Sequence, residues 1–566
     1  MFKMANSTTK GNNLCLPIML LATLLIFSKC AKTQATQGFF LNDWKPKQTT
    51  APASEAYTGS FPREDTKLTI NAESVITKVP PYIFGINCSV NLGGIDKNPA
   101  LSYLKNLAPT VLRYPGGDVT DVFFWNEPGN HLPEDAPQRL SYVDPKVEMQ
   151  PAKQAFWHGQ DEKWLSINKY YKLLNDLSAT SINSVNYGYA RYGLSSDPVA
   201  KAAHLAAEWV RFDHGRTKFW DIGNEDFGAW EPVFKINTAL SKSNQPETIS
   251  GDLYAQHASV FIDSMKNAAR EVGATIYIGV QMTEHGVNAN IPYRTWNQEV
   301  LKRIGNKIDF FSVHSYFTPN GENSNAETIL ESPQKVAPKI INYLQEECIK
   351  AGAEMKPVAL TEWNIFAVHS RQMCSYIDGM HAALTLGEII KDNYGLATRW
   401  HIANGSHTEG DDHGMLSRSA HSEEPYLPDW TPHPVFFYSY YFPKFFGDKM
   451  VSAVCNEPNI ISYASTFSSG QIGLVLINTG NEDETIKIKT QNFKPGAKYY
   501  WYSLTGGTDN GEFSQQVFIN GVGPSLPVGG PDNYENIKAY SGNASNLQIP
   551  CPRKSVEYVL IDSNAN

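Results

Sequence analysis

From Pro81 onward the chain repeats one unit, a short β-branched or aromatic run followed by an amphipathic helical stretch, eight times over. The candidate strands are Ile83–Cys88, Thr110–Tyr114, Ser184–Tyr187, Lys218–Ile222, Thr275–Val280, Asp309–Val313, Val358–Thr361 and Thr398–Ile402. Helical periodicity fills 97–107, 164–179, 196–212, 251–272, 293–304, 326–351, 371–391 and 433–445. Parallel strands need crossover connections, and helices supply them, so this order builds a parallel sheet. Eight of each is the count of a closed barrel. The expected fold is α/β, a (β/α)8 TIM barrel spanning 81–446.

After about Gly447 the texture changes. Alternating runs such as Ile460–Phe467, Ile472–Asn478, Thr485–Lys489, Tyr499–Leu504 and Val556–Ile561 are separated by Gly, Asn and Asp turns. That pattern predicts a C-terminal all-β sandwich over 447–566. A strand within 66–80, at Lys67–Ile76, is expected to join it. Residues 31–65 are polar and rich in Pro and Thr without a sustained period, and read as a linker. In 1–30, Lys3 and Lys10 precede the apolar run Leu16–Phe27, the layout of an export signal. Cys30 is a candidate lipid-attachment cysteine, although Lys29 before it is larger than such cleavage sites prefer. The expected location is therefore outside the cytoplasm: periplasmic, cell-surface or extracellular. Any membrane association would run through that N-terminal anchor alone.

Charge and cysteine content exclude several function classes. Forty-eight basic against fifty-seven acidic residues give a net charge of −9, so no basic surplus exists to neutralise phosphates, and nucleic acid is not an expected partner. Cys88, Cys348, Cys374, Cys455 and Cys551 are scattered and form no Cys/His cluster, so no metal site is indicated. No phosphate-cradling or dinucleotide fingerprint occurs, and no cofactor is expected. Asp411-Asp412-His413 reads as a solvated loop.

Barrel chemistry sits where the strands end at their C-termini. Two strands end in an acid: the fourth in Trp220-Asp221-Ile222-Gly223-Asn224-Glu225 and the seventh in Leu360-Thr361-Glu362-Trp363-Asn364. Hydrolysis of a glycosidic bond needs such a pair. One carboxyl protonates the departing oxygen and the other attacks the anomeric carbon, and retention of configuration requires them about 5–5.5 Å apart. A carbohydrate, polymeric or oligomeric, is the expected partner.

With Leu112-Arg113-Tyr114-Pro115-Gly116-Gly117, Val313-His314-Ser315-Tyr316 and His433-Pro434-Val435-Phe436-Phe437-Tyr438, these motifs resemble clan A of the glycoside hydrolases. Within the clan the chain is most similar to the family 51 α-L-arabinofuranosidases. The resemblance implies Glu225 as general acid/base and Glu362 as nucleophile of a double displacement through a covalent glycosyl-enzyme. It also implies Asn224 on the sugar hydroxyl beside the anomeric carbon, Tyr316 as donor near the nucleophile, His314 lining the cleft, and Arg113 beside the Glu362 carboxylate. The family carries a Glu after the first strand that holds the furanose hydroxyls. Here that stretch ends in Asn87, and Asp118 stands where the family has Asn after the double glycine. Those departures put arabinofuranose in question.

The insertion from Asp118 to Gln160 carries Phe123, Phe124, Trp125, Trp157 and His158, and its aromatic content predicts further sugar subsites. Arg191, Tyr192, Trp230, His285, Trp400, His401 and Asn404 also follow strand ends. Asn87, Asp118, Trp125, Trp363 and Trp400 complete the expected substrate-binding set. Two alternatives stay open: an α-L-arabinofuranosidase proper, and a surface glycan-binding protein without catalysis.

Overall fold

The short apolar runs pair side by side into a closed parallel barrel. The computed structural model describes residues 36–62, 66–138, 140–142, 152–154, 156–285, 291–367, 370–405, 413–418 and 427–564. Before the barrel come β1 (Ser54–Ala56) and β2 (Thr66–Lys78). The barrel strands are β3 (Tyr82–Asn87), β4 (Val111–Tyr114), β5 (Thr180–Val185), β6 (Phe219–Ile222), β7 (Tyr277–Met282), β8 (Phe310–Ser315), β9 (Val358–Trp363) and β10 (Leu396–Arg399). They are hydrogen-bonded in sequence order, and β10 closes on β3. The surrounding helices are α1 (Ala100–Leu107), α2 (Ile167–Leu177), α3 (Pro198–Asp213), α4 (Gly251–Glu271), α5 (Ile291–Ile304), α6 (Ala326–Ala351), α7 (Tyr376–Lys391) and α8 (Pro434–Phe445). The (β/α)8 expectation holds, but two strands sit earlier than expected. In β5 the side chains of Ser181 and Asn183 bond to Tyr170 and Tyr171 of α2, so this buried strand lacks an apolar run. The eighth begins at Leu396 and leaves Trp400 beyond its end.

The C-terminal sheet strands are β11 (Lys449–Cys455), β12 (Ile460–Thr466), β13 (Ile472–Asn478), β14 (Glu484–Gln491), β15 (Pro495–Gly506), β16 (Val517–Ile519), β17 (Ala539–Asn543), β18 (Gln548–Cys551) and β19 (Ser555–Ser563). They form one continuous sheet in the order β1-β17-β15-β19-β13-β12-β11-β2-β14-β18, with β16 on β15. The two arms curl toward each other around Leu68, Ile70, Leu474, Ile486, Trp501 and Ile549. Tyr499 on one arm donates to the Gln548 carbonyl on the other at 2.7 Å. A second core runs without a break from the barrel helices into Val475, Tyr502 and Tyr558 of the sheet.

Residues 36–62 correct the linker expectation. Phe40 is fully buried among Tyr82, Val111, Ile182, Phe219, Phe310 and Leu396, which plugs the end of the barrel where the strands begin. Phe39 stacks on Tyr277 at 3.8 Å. Trp44 Nε1 donates to the Asp448 carbonyl, and β1 pairs with β17. The polar composition misled because a few aromatic anchors suffice to dock an otherwise polar strand-like segment. The apolar run Leu16–Phe27 and Cys30 lie outside the described residues, as do Asp411 and Asp412. Among the described residues no helix is long and apolar enough to cross a membrane, and Cys88, Cys348, Cys374, Cys455 and Cys551 form no disulfide.

Candidate active site

At the open end of the barrel, Glu225 follows β6 and Glu362 lies one residue from the end of β9. Two backbone irregularities aim them. In β9, Leu360 pairs with Val313 and Glu362 with His314, so Thr361 is an extra residue, a β-bulge. Thr361 Oγ1 lies 2.6 Å from Ser312 Oγ inside the barrel, and the adjacent Glu362 reaches into the cleft, so strict alternation is broken. After β6 the chain turns through Gly223 at φ +74° and Glu225 at φ +47°. A non-glycine residue there costs roughly 1–2 kcal/mol. The loop repays this by closing on itself: Gly228 N–H donates to the Glu225 carbonyl at 2.6 Å and Glu231 N–H to that of Gly228 at 3.0 Å.

His314 stands between the two acids. Its Nδ1 is 2.8 Å from Glu225 Oε1 and 3.6 Å from Glu362 Oε2, and ligand atoms of the three side chains all lie within 4.8 Å of one another. Among the described residues this trio alone could gather around a cation. Arg113 Nη1, fully buried and 2.7 Å from Glu362 Oε1, already supplies positive charge there. Tyr316 donates to Glu362 Oε2 at 3.0 Å. Arg113 also donates to Asn87 Oδ1 at 3.0 Å and to Asn224 Oδ1 at 2.8 Å, so one guanidinium orders three strand ends. Trp230, five residues after Glu225, donates its indole N–H to Glu225 Oε2 at 2.6 Å.

Desolvation works to raise the Glu225 carboxyl. The His314 and Trp230 hydrogen bonds, with the His314 and Arg113 charges, outweigh it and hold that carboxyl below its usual range. Asp118 is pushed the other way, first by desolvation in the crowded cleft and then by the Glu362 and Glu225 charges. Burial and the Glu362 charge keep the Tyr316 phenol protonated, far above its ordinary range.

Glu225, Glu362, Asn224, His314, Tyr316 and Arg113 thus come together in one cleft, and Asp118 faces the same space. Trp400 lies over the double glycine, and a Cβ on Gly117 would come 2.5 Å from its ring. Three expected sugar contacts are placed elsewhere. Asn87 spends its amide on the Thr361 and Thr398 carbonyls at 2.8 and 3.0 Å and its oxygen on Arg113, all inside the barrel. Trp363 returns to the outer face after the bulge, near Phe84, Leu386 and Met415. Trp125 packs on Trp209 of α3 and donates to the Leu205 carbonyl. Phe123 and Phe124 are buried as well, because the insertion folds these aromatics onto the barrel core, Phe123 against Tyr114 and Trp209 and Phe124 against Tyr189. Arg191 is buried and staples the 245–247 segment through its carbonyls. The sequence reading missed Glu231, which accepts from Asn224 Nδ2 at 3.0 Å, and Asp121, which accepts from the Asn224 N–H at 3.2 Å. Acids following Asn224-Glu225 so closely were the available signal for Glu231; nothing in periodicity marks Asp121.

No family model matches the chain. An intracellular exo-α-(1→5)-L-arabinofuranosidase of Bifidobacterium longum is 24% identical over 354 residues, covering 56% of each chain. One from Streptomyces lividans is 21% identical, over 53% of this chain and 41% of that protein. The match therefore spans about half the length of these curated relatives. The solved α-L-arabinofuranosidase of Thermotoga maritima superposes with a TM-score of 0.59 at 17% identity, over 88% of this chain and 99% of that one. A Paenibacillus polymyxa family 44 xyloglucanase gives 0.54 at 11%, over 88% and 99%. The chain resembles the clan A glycoside hydrolases. Within that clan the family 51 arabinofuranosidases are what it is similar to in both sequence and fold. The curated relatives also correct the expected location: all four are named as intracellular enzymes, which overturns the reading of an exported protein.

Proposed function

We propose that this chain is a retaining glycoside hydrolase acting on an oligo- or polysaccharide. The observation that carries the reading is the gathering of the Glu225 and Glu362 carboxylates within 4.8 Å around His314. One oxygen of each acid lies within 4.8 Å of the other, an approach that supports the close pairing of retaining enzymes, about 5–5.5 Å, over the roughly 6.5–9.5 Å of inverting ones. Glu362 is the nucleophile. Arg113 donates to its Oε1 and Tyr316 to its Oε2, which fixes the orientation of the carboxylate. Glu225 is the general acid, then the general base. It hands its proton to the departing oxygen as Glu362 bonds to the anomeric carbon, and takes one from water in the second displacement. Asn224 receives the hydroxyl beside the anomeric carbon.

A second reading, an α-L-arabinofuranosidase proper, is favoured by the names of the curated relatives. Against it stands Asn87, whose side chain is committed to the barrel and cannot take up furanose hydroxyls. A protein that only binds glycan is the poorer account, since both acids and their supporting donors occupy the cleft.

The test compares 4-nitrophenyl α-L-arabinofuranoside with a panel of β-glucans, xylans and xyloglucan, and follows the first-formed anomer by NMR. Retention is expected. Glu362→Ala should lower turnover by roughly 10⁴-fold or more, and azide should rescue Glu225→Ala on an aryl glycoside. Inversion of configuration, or binding without cleavage across the whole panel, would overturn the proposal.

A further inference from the structure

Asn224 is gripped at both ends of its carboxamide. Arg113 Nη2 donates to Oδ1 at 2.8 Å, and Nδ2 donates to Glu231 Oε1 at 3.0 Å. Arginine has donors and no acceptor, so the amide oxygen must face Arg113 and the nitrogen must face Glu231. Turning the amide over would set N–H against guanidinium and lose that bond. Arg113 thus anchors the oxygen end, and Glu231 Oε1 holds the nitrogen end.

Glu231 is itself held. It is 3% exposed, its backbone N–H donates to the Gly228 carbonyl, and its neighbour Trp230 grips Glu225. The consecutive pair Trp230–Glu231 therefore holds the consecutive pair Asn224–Glu225. Among the described residues Glu231 Oε2 has no hydrogen-bond partner. An acid with one oxygen buried and unmatched is a poor choice for packing alone.

We propose that Glu231 is a positioning residue: it locks the Asn224 carboxamide so that its second N–H stays aimed at the sugar hydroxyl beside the anomeric carbon. The inference rests on the glycosidase reading above. Burial first, then the Asp118, Glu225, Asp121 and Asp226 charges, push the Glu231 carboxyl well above its usual range. A neutral carboxyl still accepts through its carbonyl oxygen, so glutamine can replace it.

Glu231→Leu and Glu231→Gln decide the matter. The probes are 4-nitrophenyl α-L-arabinofuranoside and 4-nitrophenyl β-cellobioside, each beside the counterpart lacking the hydroxyl next to the scissile anomeric carbon. On the glycoside that the wild type cleaves, Glu231→Leu should lose about 10–100-fold in kcat/KM, mainly in kcat, with Glu231→Gln within about threefold. On the deoxy counterpart Glu231→Leu should cost no more than about twofold, because the interaction it supports is already gone. Equal losses on both substrates, or no loss on either, would overturn the proposal. A crystal structure of Glu231→Leu gives an answer independent of turnover: the Asn224 amide plane should swing about its Arg113 contact so that Nδ2 leaves its wild-type position, and an unmoved amide refutes the lock. A wild type that cleaves neither glycoside would count against the glycosidase reading, and the crystal structure would still decide the lock.

Discussion

Glu225 is bonded on both oxygens, to His314 Nδ1 and to the Trp230 indole. In its proposed role of general acid it must carry a proton when substrate arrives, and these bonds favour the form without one. Trp230→Phe keeps the ring and deletes the N–H. With that donor gone, the charged form of Glu225 loses support and its pKa rises. Activity that needs protonated Glu225 should then persist to higher pH, so the alkaline limb of kcat/KM moves upward. His314, Glu362, Arg113, Tyr316 and Asp118 surround Glu225 unchanged in this variant, so an unmoved limb refutes the assignment. At this scale the sequence was informative where residue type at a strand end already limits the role, as for the acids Glu225 and Glu362 and for His314 and Arg113. It was uninformative about direction where the alternation breaks or a neighbouring carbonyl claims the side chain. Trp363 points outward and Asn87 is consumed by backbone carbonyls, and neither outcome has a signal in residue type.

Single loops and strands carry the next level of control. The turn after β4 contains Gly116 and Gly117 at φ +71° and +69°, and the Trp400 ring lies against them. A side chain at 117 would be strained by its backbone and would strike that ring. Gly117→Ala should displace Trp400 and the neighbouring Asp118. We expect a loss of about tenfold in kcat/KM with global stability lowered by about 1–3 kcal/mol, checked by kinetics beside urea denaturation. A stability loss with unchanged kinetics would show that Trp400 plays no part in the cleft. Element type was legible along most of the barrel because core-facing strands are apolar. It failed at β5, where tyrosines of a helix satisfy polar strand residues, an arrangement visible only in three dimensions. The bulge in β9 was equally hidden, since its extra residue is an ordinary threonine.

Across the whole molecule, barrel and sheet share one apolar core, so neither is an independent module in the packing sense. The segment taken for a linker is a stopper. Phe40→Ala would open a cavity among Tyr82, Phe219 and Phe310 and should destabilise the protein by about 3–5 kcal/mol. The cleft is at the opposite end, so kcat should be unchanged; a large drop in kcat would mean that the two ends are coupled. Composition hid this role, because a Thr- and Pro-rich stretch with two adjacent phenylalanines reads as tail rather than core.

The same stopper constrains how the chain is born. Trp44 finds its partner 404 positions later, at Asp448. At about 5–20 residues per second, a ribosome needs roughly 20–80 s to deliver that partner after Trp44 is made. Until Leu396 of β10 has been made, the aromatic pair Phe39 and Phe40 has no finished socket. The earliest of the described residues are thus among the last to settle, and a nascent chain with unsheltered phenylalanines is a natural client for chaperones.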